Sequence, residues 1–142
     1  MRAAVLAVIA FAAAMAAGCA SAETLRYAVA LTGAAETPPK PGMGAGAADV
    51  ALDTETKTLS WTVRYANLSG PATMAHFHGP APAGVSAGAL VPLTGDLKSP
   101  ISGSATLTDP QIGDLRAGML YLNIHTAMNP GGEIRGQVVA AH

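Results

Sequence analysis

In the stretch from Thr58 to Tyr65, Leu59, Trp61, Val63 and Tyr65 alternate without a break with Ser60, Thr62 and Arg64. Successive side chains of a strand point to opposite faces, so this spacing makes one apolar and one polar face. A helix would scatter the same residues around its circumference. A half-buried strand cannot stand alone: it needs neighbours along its edges and a second layer over its apolar face. Trp61 is the only tryptophan and lies mid-way along that face. It therefore marks the expected centre of the core.

The two-residue period recurs, and the 3.6-residue period almost never does. Leu25 to Leu31 alternates in the same way. Asp49 to Leu52 leads through the polar run Asp53 to Lys57 into the tryptophan strand, a hairpin pattern. Further strands are expected at Thr73–His78, Ala89–Leu93, Ile101–Leu107, Leu120–Thr126 and Glu133–Ala140, separated by Gly/Pro-rich breaks such as Gly79 to Gly84. Thr37 to Gly46 carries three prolines and three glycines and reads as a long loop. One helix is expected near 109–117, where Thr108 offers a cap, Pro110 a first-turn proline and Gln111 the reciprocal partner, with Gly118 as terminator. Short strands punctuated in this way predict an all-β, antiparallel Greek-key β-sandwich of immunoglobulin-like build, with an up-and-down barrel as the alternative.

Composition becomes informative at the N-terminus. The chain is 50% hydrophobic but only 4% aromatic and 12% charged, because alanine inflates the apolar count. Arg2, the uncharged run Ala3 to Ala17 and the small residues Ala20-Ser21-Ala22 read as a secretory signal over 1–22, leaving one domain over 23–142. Ala16-Ala17-Gly18-Cys19 also resembles a lipobox, which would make Cys19 a lipid-bearing N-terminal residue. Export is expected either way: periplasmic or secreted, or anchored through Cys19, with no membrane span. A single cysteine excludes a disulfide framework. A net charge of −1 without a Lys/Arg cluster argues against nucleic-acid binding.

Chemistry falls to the histidines. His76 and His78 are two apart in a strand, so both rings leave the same face, with Phe77 pointing to the core. His125 stands near the end of a later strand, on the face shared by Tyr121 and Asn123. Three imidazoles without a thiolate suit copper, with zinc as the other ion. Met74 shares the face of His76 and His78, and Met128 follows His125 closely. Either thioether is a candidate fourth ligand. His142 is a bystander. Glu133 and Arg135 alternate on one strand face and are expected to pair. No nucleophile elbow, phosphate loop or paired-carboxylate pattern is present, so no catalytic residue is assigned.

With these residues in view, the chain resembles the CHRD domain family. The resemblance rests on Leu31-Thr32-Gly33-Ala34-Ala35-Glu36-Thr37-Pro38-Pro39, Leu59-Ser60-Trp61-Thr62-Val63 and Ala75-His76-Phe77-His78-Gly79-Pro80-Ala81. Its last block is Tyr121-Leu122-Asn123-Ile124-His125-Thr126 running into Asn129-Pro130-Gly131-Gly132-Glu133-Ile134-Arg135-Gly136-Gln137. It implies an exported β-sandwich and no agreed activity. Cu/Zn superoxide dismutase is similar in using a His-x-His strand pair and a later strand-end histidine, but its bridging histidine, zinc carboxylate and disulfide have no counterpart here. Two functions follow as expectations. One is an extracytoplasmic copper-binding domain for binding, sequestration or transfer, open to redox chemistry and to an exported partner protein. The other is a structural or adhesion module with no metal.

Overall fold

The computed structural model describes residues 21–141. Cys19 with its lipobox, nearly all of the expected signal segment, and His142 lie outside the described residues. The strands are β1 (Thr24–Thr32), β2 (Ala45–Asp53), β3 (Thr58–Ala66), β4 (Ala72–His78), β5 (Ala89–Pro92), β6 (Ile101–Thr106), β7 (Tyr121–Thr126), β8 (Ile134–Gln137) and β9 (Val139–Ala140). Among the described residues the one α-helix, α1, spans Asp109–Arg116. All strand pairings are antiparallel, as the alternation predicts. Among the described residues no helix is long and apolar enough to cross a membrane.

The local chemistry explains the elements. The β2–β3 turn forms because Asp53 Oδ1 accepts from the backbone N–H of Glu55 and of Thr56, both at 2.9 Å, an Asx turn that reverses the chain. Lys57 closes it at φ 58°. The helix starts where the capping box lies: Thr108 Oγ1 accepts from Gln111 N at 3.4 Å, and Gln111 Oε1 accepts from Thr108 N at 2.9 Å. Leu115 is its one buried residue.

The strands run in the order β5-β4-β7-β8-β1-β2-β3-β6, with β9 on β1. This path folds into two leaves, β5-β4-β7-β8 and β1-β2-β3-β6, which share only the bridge Thr32–Arg135 between β1 and β8. Trp61 on β3 meets Phe77 on β4 with ring centroids 5.3 Å apart, so the leaves pack apolar face to apolar face. Leu59, Val63, Leu31 and Val50 from one leaf join Phe77, Leu122, Ile124 and Ile134 from the other in a single core. The connections β3–β4, β5–β6 and β6–β7 cross between leaves, returning β6 beside β3 and β7 beside β4. This is Greek-key connectivity rather than an up-and-down barrel.

Two boundaries differ from the sequence reading. The loop after β1 ends at Gly44, and Gly46 is inside β2 opposite Tyr65, where a side chain would strike the carbonyl of Arg64. The stretch Glu133–Ala140 is not one strand. Val138 is fully buried and donates its N–H to Leu120 O, and beyond it the chain leaves β7 and pairs with β1.

Candidate metal centre

The pairing of β4 with β7 sets Met74 opposite His125, His76 opposite Asn123 and His78 opposite Tyr121. On the far side of β7, β8 sets Arg135 opposite Asn123 and Gln137 opposite Tyr121. Ala75, Phe77, Leu122, Ile124 and Ile134 face the core from these strands. By alternation the other residues form the outer face of the leaf. That face is polar, and most of it is buried: Tyr121, Asn123, His125 and Arg135 are all shielded from solvent.

Four loops do the covering, and they contribute mainly backbone carbonyls. Arg135 Nη2 donates to Val85 O at 2.8 Å and Pro82 O at 3.3 Å, and Nη1 to Thr37 Oγ1 at 3.4 Å. Gln137 Nε2 donates to Ala81 O at 2.8 Å and Gly118 O at 2.9 Å. The Tyr121 hydroxyl accepts from Ala87 N at 3.0 Å and donates to Ala87 O at 3.1 Å. His78 stacks on the Tyr121 ring at 4.8 Å and 3°, and the Arg135 guanidinium lies over the same ring at 3.5 Å. The Ala- and Pro-rich loop after β4 is thus held through its backbone by side chains of the leaf.

His76, His78 and His125 each offer a ring nitrogen, all within 4.8 Å of one another. Their states follow from their partners. A carbonyl oxygen only accepts, so His125 Nδ1 donates to Pro130 O at 2.9 Å, and neutral His125 keeps its lone pair on Nε2. His76 Nδ1 lies 3.2 Å from that nitrogen and donates to it. By the same logic His78 Nδ1 donates to Ala87 O at 3.0 Å, while His78 Nε2 contacts Asn123 Oδ1 at 2.9 Å. His76 and His125 therefore face each other across one proton, and both nitrogens of His78 are already engaged. Burial, reinforced by His125 and His78, holds the His76 imidazole below its ordinary pKa. Burial also lowers that of His78, against the opposing hydrogen bonds of Ala87 and Asn123. Rings held neutral in this way are the form that ligates metal.

Two buried glutamates flank the cluster with opposite tendencies. Burial raises the Glu36 carboxyl above its usual range, outweighing the Thr37 N–H and Arg135. Its Oε1 accepts weakly from Asn123 Nδ2 at 3.5 Å. Burial works against ionisation of Glu133 too, but its hydrogen bonds prevail and lower its pKa. Oε1 accepts from Ser69 N at 2.7 Å, and Oε2 from Ser69 Oγ and Thr126 Oγ1, both at 2.5 Å, and from Asn129 Nδ2 at 3.1 Å. The expected Glu133–Arg135 pair does not form. Glu133 lies just before β8, and each residue has nearer partners; the ion pairs among the described residues are Lys57–Asp109 and Arg64–Asp49.

The fold thus brings together His76, His78 and His125 from strands far apart in sequence. Met74 stands in register with His125 at 44% exposure, and Met128 is 76% exposed in the loop after β7. Sequence reasoning put Tyr121 and Asn123 on the face of His125 without giving either a role, and gave none to Glu36. The one available signal for Asn123 was an amide between Leu122 and Ile124 on the histidine face. The CHRD domain family matches the chain over residues 27–138, nearly all of what the structure describes. No curated protein and no solved structure matches it.

Proposed function

We propose that this chain, which belongs to the CHRD domain family, is an exported copper-binding module whose ion is held by His76 Nδ1 and His125 Nε2. The observation that carries this reading is the 3.2 Å separation of those two nitrogens. Two imidazole nitrogens bonded at about 2.0 Å to a tetrahedral ion stand about 3.3 Å apart. The proton now shared between the rings occupies that place, and the ion replaces it when His76 moves its proton to Nε2. Two supports of an ordinary histidine ligand are also present: a fixed second nitrogen on His125, donating to a carbonyl, and a His76 ring held below its ordinary pKa by burial. Imidazoles without a thiolate suit copper first and zinc second by affinity order. The role is binding, sequestration or transfer of copper, with another exported protein as the exchange partner. Redox chemistry, superoxide dismutation included, requires an open coordination position.

One set of contacts favours the structural or adhesion reading instead: His78 and His125 each pin a loop carbonyl, at Ala87 and Pro130. Isothermal titration of the purified mature protein with Cu(II) and Zn(II) separates the two. Stoichiometric binding that falls about a hundredfold or more in both His76→Ala and His125→Ala supports the metal site. Absence of binding, or binding indifferent to both changes, leaves the structural module. A superoxide assay on the loaded protein then distinguishes carrier from enzyme.

A further inference from the structure

The three histidines are not equivalent. His76 Nδ1 and His125 Nε2 face each other across one proton that a tautomer shift of His76 vacates, whereas both nitrogens of His78 are held by other partners. Its Nδ1 is committed to Ala87 O, and its Nε2 to the Asn123 amide at 2.9 Å. With Nδ1 donating to Ala87 O and the ring neutral, Nε2 bears no proton, so the amide is turned and its NH2 donates to Nε2. The Nε2 lone pair is thereby engaged by the buried Asn123 amide, which has no tautomer shift by which to vacate it. Asn123 is itself fixed. It is buried, its far end touches Glu36, and Gly132 packs so closely against both that a Cβ there would collide with Glu36 Oε1 and with Asn123 Nδ2.

Resting on the copper reading above, we propose that Asn123 withholds His78 from the ion, so that a metal held by His76 and His125 keeps positions open to a small exogenous anion. Two protein nitrogens do not fill a four-coordinate ion. The side from which solvent reaches the site is that of His76, only partly buried beside half-exposed Met74. Asn123 is a positioning residue in this scheme: it acts through His78 and sets how many nitrogens the ion receives.

Azide titration of the Cu(II)-loaded protein tests this, read as the azide-to-copper charge-transfer band and the accompanying change in the electron paramagnetic spectrum. The expected result is a saturable new band in the wild type. Asn123→Ala frees His78 Nε2, so copper should bind about tenfold tighter and azide about tenfold more weakly. Both changes should vanish in Asn123→Ala combined with His78→Ala. His78→Ala alone should lose less copper affinity than His76→Ala or His125→Ala and keep the azide band, a readout that survives if Asn123→Ala fails to fold. Copper binding with no azide response overturns the latch alone, as does a His78→Ala loss as large as that of His76→Ala. No copper binding by the wild type overturns the copper reading and the latch with it.

Discussion

Strands β3 and β7 both alternate large apolar with polar residues, yet they live in different surroundings. On β3, Leu59, Trp61 and Val63 are buried while Ser60 and Arg64 are exposed, the ordinary outcome for a sheet with one wet face. On β7 all six residues are buried. The same period therefore reports a chemical difference between two faces without reporting which face meets water. Where the polar face is roofed, as over β4, β7 and β8, its groups must find partners inside the protein. Ala87, Val85, Pro82 and Pro130 supply them through backbone oxygens. The candidate metal centre lies on this roofed face, not on the wet one.

The comparison can be broken or sharpened by substitution. The largest effect is expected from the shared core: Trp61→Ala should lose about 3–5 kcal/mol in chemical denaturation, since its indole packs on Phe77 and under Gly103. A loss below about 1 kcal/mol would show that the leaves do not meet there. Next comes a matched pair of outer-face arginines. Arg135, 2% exposed, holds two loop carbonyls and covers Tyr121, so Arg135→Ala should cost about 2–4 kcal/mol. Arg64 on β3 makes only an exposed pair with Asp49, and Arg64→Ala should stay within about 0.5 kcal/mol. Equal costs would erase the distinction between roofed and wet faces.

The two buried glutamates give smaller, signed effects. Glu133 titrates below its usual range in the folded protein, so the unfolded chain binds the extra proton in acid. Its contribution is present above the ordinary carboxylate pKa and is lost as pH falls through the folded value. Glu36 is raised, so its contribution is present in acid and is lost as pH rises through its folded value. At neutral pH, Glu133→Gln should therefore destabilise by about 1–2 kcal/mol, while Glu36→Gln should be neutral or stabilising. Denaturation midpoints of both variants at acid and neutral pH check the signs. The lowered His76 and His78 add a third component: stability should decline as pH falls below their ordinary value near 6.5.

Much of the fold was legible because its signals are local. The Asx turn at Asp53, the capping box at Thr108 and the alternation of β3 each complete themselves within a few residues. The three histidines were legible as a set because strand geometry puts His76 and His78 on one face. What escaped was non-local. Asn123 reaches Glu36 across 87 positions and His78 across 45. The break at Val138 depends on the carbonyl of Leu120. Glu133 and Arg135 looked like a pair because sequence shows their spacing but not Ser69, Thr126 and Val85, which satisfy them first.

Crystals of the protein soaked with Cu(II) and measured at the copper absorption edge test the central claim most directly. The account predicts one anomalous peak about 2.0 Å from both His76 Nδ1 and His125 Nε2, with the His78–Asn123 contact intact. A peak elsewhere, or none while His76 and His125 remain hydrogen-bonded, would contradict it.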